Sequence, residues 1–161
     1  NDIWALRQQG ALDAVLKSSN CGIVLMHMQR DPLTMQFNPE YQNVVSEVME
    51  FLSERANLLL SKGVEQNRIA LDPGFGFGKS LVHNLEMLGK FDRFSELGYL
   101  VLAGISRKSM LGKITGKEVD QRLSPSIAAA IMAADRGAKI IRVHDVPDTV
   151  DALKLWEAVN A

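Results

Sequence analysis

The sequence has little of several features that mark special classes of protein. It contains one cysteine, Cys21, so no internal disulfide can form and a reducing, cytoplasmic setting is expected. The formal net charge is −1, which provides no basic field for nucleic acid. The longest nearly apolar run, 127–134, is too short to cross a bilayer. We therefore expect one ordinary globular domain over residues 1–161, without nucleic-acid or membrane partners.

Metal ligands and catalytic pairs do not group along the chain either. His27, His83 and His144 are far apart and form no i, i+4 pair, which argues against a zinc site. Spacing alone does not pair any serine or cysteine nucleophile with a histidine base. Any catalytic site must therefore be assembled by the fold.

Apolar segments typical of buried strands alternate with segments typical of helices. The predicted strands are 22–28, 68–71, 99–105 and 139–143. The predicted helices are 11–17, 38–61, 80–97, 124–136 and 148–161, the last capped by Asp148 or Thr149. Continuous apolar strands that alternate with helices are typical of a parallel sheet covered on both faces.

Two α/β architectures share this pattern: a doubly wound sheet, and half of a (β/α)8 TIM barrel, since a full barrel takes about 250 residues. The chain begins Asn1-Asp2-Ile3, with no Met and with no strand or helix before it. We therefore expect it to come from the middle of a larger protein, and we favour the half-barrel.

Polar side chains cluster where the predicted strands end. The first strand ends in Met26 to Gln29, and the second ends at Asp72. Ser106 to Ser109 follow the third strand, and Arg142 and His144 lie at the end of the fourth. Ligands of parallel α/β folds bind at this edge of the sheet. The sequence therefore predicts a ligand site to which all four strands contribute.

A glycine-rich loop, residues 73–78, follows Asp72. A buried carboxylate needs partners, alternating glycines permit close approach, and the two phenylalanines of the loop offer flat apolar surface. These features predict a site for a flat heterocycle rich in hydrogen-bonding groups. An alternative is a glycine-rich turn capped by Asp72. The loop ends Gly78-Lys79-Ser80, but Pro73 stands where a phosphate-binding loop needs glycine, so we reject a nucleotide site.

Two cations, Arg107 and Lys108, begin a predicted helix, where the helix dipole prefers anions. This conflict indicates a ligand that benefits from positive charge, and the alternative is a solvated basic turn. Gly104 shares a strand face with Ser106 and would leave room for a flat ligand.

Arg142 and His144 share a face of the fourth strand, where they form a fork suited to phosphate or carboxylate. The alternative is an ion pair between Arg142 and either Asp72 or Asp145.

Four segments of the chain together resemble bacterial dihydropteroate synthase. They are residues 25–29, 71–79, 104–110 and 141–146. The resemblance covers the whole chain and implies the C-terminal half, strands five to eight with their helices, of a pterin-binding barrel. The start of the chain, Asn1 to Ile3, would be the end of strand four. That family joins p-aminobenzoate to 7,8-dihydropterin pyrophosphate, which gives dihydropteroate and pyrophosphate for folate biosynthesis.

The resemblance also implies a role for each matching side chain. Residues expected to bind the pterin edge are Asn1, Asp72 and Lys108. Residues expected to form the pocket walls are Met26, Gly76, Phe77 and Gly104. Residues expected beside p-aminobenzoate are Arg107, Lys108 and Ser109. Residues expected to anchor the pyrophosphate are Arg142 and His144. Apart from the resemblance, we expect Ser106 to bind the same anion. We expect Lys108, Arg142 and His144 to be catalytic.

Further properties follow only from the resemblance. Mg²⁺ is the expected cofactor, held by the pyrophosphate and by residues outside this chain, with no metal ligand inside it. Sulfonamides are expected competitors, and the expected assembly is a homodimer. Two alternatives stay open: a related pterin-binding methyltransferase barrel, and a half-barrel fragment without catalytic activity.

Overall fold

Residues 1–161, described by a computed structural model, form an α/β fold with a four-stranded parallel sheet. Its strands, in chain order, are β1 (Ile23–Met26), β2 (Ile69–Asp72), β3 (Leu100–Ala103) and β4 (Ile140–Ile141). Each strand pairs in parallel with the next along the chain, so sequence order and sheet order agree. The predicted parallel strands are confirmed, although each is shorter than the apolar run that predicted it or, for β2, is shifted by one residue.

The start of the chain lies against the outer edge of β1. The backbone N–H of Asp2 donates to the carbonyl oxygen of Val24 at 3.0 Å, and the N–H of Met26 donates to that of Asp2 at 3.3 Å. These bonds form an isolated parallel bridge between Asp2 and Leu25. The first residues thus continue the parallel order beyond β1.

Helices follow the strands in alternation. They are α1 (Ala11–Lys17), α2 (Val44–Ser61), α3 (Leu81–Gly89), α4 (Asp92–Ser95), α5 (Ser109–Thr115), α6 (Leu123–Asp135) and α7 (Val146–Asn160), with 3-10 turns at Gln66–Arg68 and Val119–Gln121. The longest, α2, buries Val44, Val48, Leu52 and Ala56, which recur every four residues and so lie on one face. None of the helices is both long and apolar enough to cross a bilayer.

The single helix predicted over 80–97 is wrong, because the structure divides it into α3 and α4. Gly89 ends α3, and α4 begins after Phe91. The break allows Phe91 and Phe94 to bury their rings completely. Phe91 stacks on Phe75 with 6.2 Å between the ring centroids. Aromatic packing therefore decides the course of the chain here, where helical periodicity suggested continuity.

The predicted cap of the last helix is also wrong. α7 begins at Val146 with Pro147 in its first turn, a position where proline's missing N–H costs nothing. Thr149 lies inside the helix, and its hydroxyl donates to the carbonyl oxygen of Asp145 at 2.8 Å. Asp148 lies in the first turn and does not precede it.

α2 begins later than predicted, at Val44, because Asn43 caps it. The Asn43 side chain accepts the N–H of Ser46 at 3.0 Å. The residues before this cap, 29–43, form a turn-rich loop. This loop is bonded to the glycine-rich loop, since the hydroxyl of Tyr41 donates to the carbonyl oxygen of Gly78 at 2.8 Å. The Gln36 amide donates to the carbonyl oxygen of Gly76 at 2.6 Å.

Candidate active site

Asp72, the last residue of β2, has no exposed surface. Its Oδ1 accepts the N–H of Gly74 at 2.8 Å. Its Oδ2 lies 3.2 Å from Nη2 of Arg142, in a contact that lacks hydrogen-bond geometry. Burial raises the pKa of Asp72, whereas the charge of Arg142, the Gly74 N–H and the Asn1 side chain act to lower it. One oxygen of a buried carboxylate can therefore still accept a hydrogen bond from a ligand.

Beside Asp72, a cavity of about 260 Å³ opens where β3 and β4 end. It is lined by Phe77, Gly104, Ser106, Lys108, Arg142, Val143 and His144. The glycine-rich loop thus shares one cavity with the ends of two strands. The structure brings together six residues that the sequence analysis assigned to a ligand site.

Lys108 lies above the ring of Phe77, with its Nζ 4.2 Å from the ring centroid. Such a cation–π contact is attractive because the ring face is electronegative. Burial lowers the pKa of Lys108, the charge of Arg142 lowers it further, and Asp72 raises it. A cation and a flat apolar surface therefore face the cavity together.

The space above Gly104, where a flat ligand was expected, is filled by a side chain in this structure. The guanidinium of Arg142 occupies that space, and a methyl group on Gly104 would overlap it. Arg142 thereby reaches Asp72, which is the ion pair that the sequence analysis kept as an alternative. Because the Arg142 side chain is 44% exposed, it can turn from Asp72 toward a ligand without leaving a buried charge.

Ser106 and His144, which both line the cavity, are hydrogen-bonded to each other. The hydroxyl of Ser106 accepts the backbone N–H of His144 at 3.2 Å and lies 3.0 Å from Nδ1 of its ring. A hydroxyl that accepts one bond can donate another, so both contacts are satisfied in the tautomer in which Nδ1 accepts and Nε2 carries the proton. His144 can then donate from Nε2 to an anion.

Six predicted site residues do not line the cavity: Asn1, Met26, Asp72, Gly76, Arg107 and Ser109. Arg107 is bonded to Asp145 by two hydrogen bonds, Nε to Oδ2 at 3.0 Å and Nη2 to Oδ1 at 2.5 Å. This pairing raises the pKa of Arg107 and lowers that of Asp145. Ser109 is exposed at the first turn of α5, and Met26 has no exposed surface. Their contact with a ligand remains a prediction.

Only one of the two loop phenylalanines lines the cavity. Phe77 does so, whereas Phe75 is buried against Phe91, so its predicted contact with a ligand is wrong. Gly74 and Gly76 have positive φ angles of 72° and 79°, a conformation that glycine adopts without strain. The two rings therefore have different surroundings, the cavity for Phe77 and the core for Phe75.

Sequence reasoning missed two side chains that shape the loop. Lys79 is 4% exposed, and its Nζ lies 2.9 Å from the carbonyl oxygens of both Gly74 and Phe77. Asn84 is also buried, and its Oδ1 accepts the N–H of Gly76 at 2.7 Å. The only signal in the sequence was the lysine after Gly78, which resembled part of a phosphate-binding loop.

The donor set of this chain does not suit Mg²⁺. No group of three or more His, Cys, Asp or Glu side chains lies close enough to bind one metal ion. The Asp72 carboxylate already faces the guanidinium of Arg142. Mg²⁺ prefers several oxygen ligands, which these residues do not provide.

Comparison with known proteins decides the family. The family model described as "Pterin binding enzyme" matches residues 1–144. The chain belongs to the pterin-binding enzyme family. Among curated relatives in this family, the dihydropteroate synthase of Haemophilus influenzae is 49% identical over 158 residues, which is 98% of this chain and 57% of that protein. The chain thus spans a little over half the length of this relative.

Solved structures of pterin-binding enzymes share the fold. The dihydropteroate synthase of Yersinia pestis, in complex with a sulfonamide drug, is 40% identical with a TM-score of 0.96, over 99% of this chain and 58% of that one. The dihydropteroate synthase of Xanthomonas albilineans, in complex with 7,8-dihydropteroate, is 48% identical with a TM-score of 0.92, over 100% of this chain and 60% of that one. The resemblance seen in the sequence is confirmed.

Proposed function

We propose that the complete protein containing this chain is a dihydropteroate synthase. It would condense p-aminobenzoate with 7,8-dihydropterin pyrophosphate to give dihydropteroate and pyrophosphate. The observation that carries the proposal is the buried Asp72, whose Oδ2 makes no hydrogen bond beside the cavity that Phe77 and Lys108 line. The complex of the Xanthomonas albilineans relative with 7,8-dihydropteroate supports it, since that compound is the product of this reaction.

The fold of the complete protein is proposed to be a (β/α)8 barrel, of which this chain forms strands five to eight. Support comes from the order of the four parallel strands and from the bridge of Asp2 to the free edge of β1. The chain also superposes over its whole length on solved relatives while covering 58–60% of them. Residues outside this sequence would supply the other strands.

Asp72 is proposed to hold the pterin edge. A pterin presents a ring N–H beside an amino group, and one carboxylate can accept both hydrogen bonds. Asn1, whose side chain acts on the pKa of Asp72, would bind beside it, and Phe77 and Lys108 would cover the ring. p-Aminobenzoate would bind near Lys108 and Ser109.

Arg142 and His144, supported by Ser106, are proposed to bind the pyrophosphate. Arg142 and His144 both line the cavity, and Nδ1 of His144 lies 3.0 Å from the Ser106 hydroxyl. In the tautomer in which Nδ1 accepts from that hydroxyl, Nε2–H is the donor for the anion. The C–O bond of the pterin methylene breaks, and the pyrophosphate leaves with the bonding electrons. Hydrogen bonds that strengthen as this charge develops lower the barrier.

The arylamine nitrogen of p-aminobenzoate then forms the new C–N bond with the cationic methylene and loses a proton. A neutral arylamine is already a nucleophile, so this step requires no strong base. The methyltransferase alternative would have no use for Arg142 with His144 in one cavity.

Several finer properties rest on the family resemblance and stay proposals. They are Mg²⁺ as the cofactor, sulfonamides as competitors, a homodimeric assembly and a cytoplasmic location. The sulfonamide complex of the Yersinia pestis relative supports the second. Leu85, Ile114 and Met132, all more than 40% exposed, line an apolar groove of about 220 Å³ that is one candidate face for a second copy.

An anion should bind between Arg142, His144 and Ser106 in crystals grown from sulfate. The guanidinium and Nε2–H can both donate to it without moving a buried group. Electron density at this position, lost when Arg142→Gln is crystallised under the same conditions, would support the anchor. Sulfate bound elsewhere along the strand ends, with none here, would contradict it.

Residues 1–161 expressed alone should bind a pterin weakly and show no turnover. The metal ligands and the covering loops are expected outside this chain, and without them the leaving group is less stabilised and water is not excluded. The measurement is pyrophosphate release from dihydropterin pyrophosphate and p-aminobenzoate, with the complete protein as the active control. A rate within about tenfold of that control, roughly 1.4 kcal/mol of barrier, would show that these 161 residues suffice. Failure of the complete protein to form dihydropteroate would refute the proposed function itself.

A further inference from the structure

Lys79 and His27 form a buried pair that the proposed chemistry does not use. Lys79 is 4% exposed and His27 is 6% exposed. The Nζ of Lys79 lies 2.9 Å from Nδ1 of His27 and 2.9 Å from the carbonyl oxygens of Gly74 and Phe77. An ammonium group has three N–H donors. The three acceptors at 2.9 Å therefore match the donor capacity of a charged Lys79.

His27 is suited to the role of acceptor. Burial, together with the charges of Lys79 and Arg7, lowers the pKa of His27 to about 2, so its ring is neutral. Burial also lowers the pKa of Lys79 to about 7, and Asp72 raises it. With Nδ1 of His27 as the third acceptor, the charged form of Lys79 satisfies all three contacts. Phe51 packs edge-on against the His27 ring, with 5.0 Å between the centroids, and fixes its orientation.

The carbonyls that Lys79 binds belong to the loop beside the cavity. Phe77 is the flat surface beneath the Lys108 ammonium, and Gly74 follows Asp72 by two residues. The loop turns through three glycines with positive φ angles, so regular secondary structure does not fix its shape. Lys79 is buried and does not line the cavity.

We propose that Lys79, held by His27, is a positioning residue. It fixes the position of Phe77 in the pterin pocket, and thereby the position of the Lys108 ammonium that lies against the Phe77 ring. This inference rests on the proposed function for the identity of the ligand. Lys79 would act through the backbone carbonyls of Gly74 and Phe77, without contact with the substrate. Loss of the ammonium would leave the Phe77 carbonyl without this donor and the Gly74 carbonyl with only the backbone N–H of Phe77. The loop would then move to restore the lost contacts.

The main variant is Lys79→Met, which keeps the length of the side chain and removes its donors. Affinity for 6-hydroxymethylpterin is measured by calorimetry on the complete protein at 25 °C, after thermal unfolding shows that the variant is folded at that temperature. We expect binding at least tenfold weaker than in the wild type. A role in stability alone would lower the unfolding temperature and leave the affinity of the folded protein unchanged. Affinity within twofold of the wild type would overturn the inference.

Two variants of His27 separate its hydrogen bond from its packing. His27→Asn keeps an acceptor near the position of Nδ1 and loses the ring, whereas His27→Phe keeps a ring and loses the acceptor. We expect His27→Phe to bind the pterin more weakly than His27→Asn. Equal affinities, or the reverse order, would contradict the proposal. If Lys79→Met does not fold, this comparison of the two His27 variants tests the positioning role in its place.

Amide hydrogen exchange separates the inference from the proposed function. In Lys79→Met, or in His27→Phe if the first does not fold, the N–H groups of Gly76 and Phe77 should exchange at least tenfold faster. Those of the α2 interior should keep their rates. Unchanged exchange in the loop would overturn the positioning role whether or not the protein binds pterins. Faster loop exchange in a protein whose wild type binds no pterin would refute the proposed function and leave the loop contact standing.

Discussion

Asp72→Asn should weaken pterin binding by roughly 10- to 100-fold, which corresponds to about 1–3 kcal/mol. The carboxylate can accept two hydrogen bonds from the ligand edge, and asparagine would turn one acceptor into a donor that faces a ligand N–H. Asparagine can still accept the N–H of Gly74 through its Oδ1, so the loop keeps that contact. The measurement is calorimetric titration of the complete protein with 6-hydroxymethylpterin.

A matched control removes a carboxylate far from the cavity. Asp13→Asn lies on an exposed position of α1 and changes the net charge by the same amount. It should bind the pterin with wild-type affinity. If the Asp72 variant also binds like the wild type, Asp72 does not hold the pterin, and the recognition proposed for this site is wrong.

Gly74→Ala should lower the free energy of unfolding by about 2–5 kcal/mol. A residue with a side chain pays about 1–2 kcal/mol in the left-handed conformation that Gly74 adopts, with φ at 72°. Its methyl group would also overlap the carbonyl oxygen of His27, and such overpacking costs about 1–3 kcal/mol more. Urea unfolding of the complete protein gives the difference, and the same variant should lose pterin affinity because the loop must move.

Gly63→Ala is the control for backbone conformation. Gly63 has a φ of 84°, and nothing lies within 4 Å of the position that its methyl group would take. This variant should cost only the conformational part, about 1 kcal/mol, since alanine also restricts the unfolded chain. If Gly74→Ala and Gly63→Ala lower the free energy of unfolding equally, the loop does not pack tightly against the carbonyl of His27.

The sequence predicted the sheet and the location of the site because both follow from local pattern. Buried parallel strands appear as continuous apolar runs, and polar residues that follow such runs must gather at one edge. Asp72, Lys108 and His144 were found in this way. Helix positions were also predicted, but their ends depended on caps such as Asn43 that compete with equally plausible neighbours.

Features that depend on long-range contacts could not be predicted from pattern. The contact between Lys79 and His27 joins residues 52 positions apart in sequence. The placement of the Arg142 guanidinium over Gly104 likewise depends on how two strands pair. Alternation assigns a side chain to a face of the sheet, but only the pairing of strands shows what occupies the space above it. The different surroundings of Phe75 and Phe77 depend in the same way on the conformation of Gly76 between them.

A crystal structure of the complete protein with a bound pterin would test the central claim most directly. We predict that the ring N–H and amino group of the pterin donate to Asp72. The ring should lie against Phe77 and Lys108, with Arg142 turned away from the carboxylate. A pterin bound at another position, with Asp72 still facing Arg142 and the cavity without ligand density, would contradict the account.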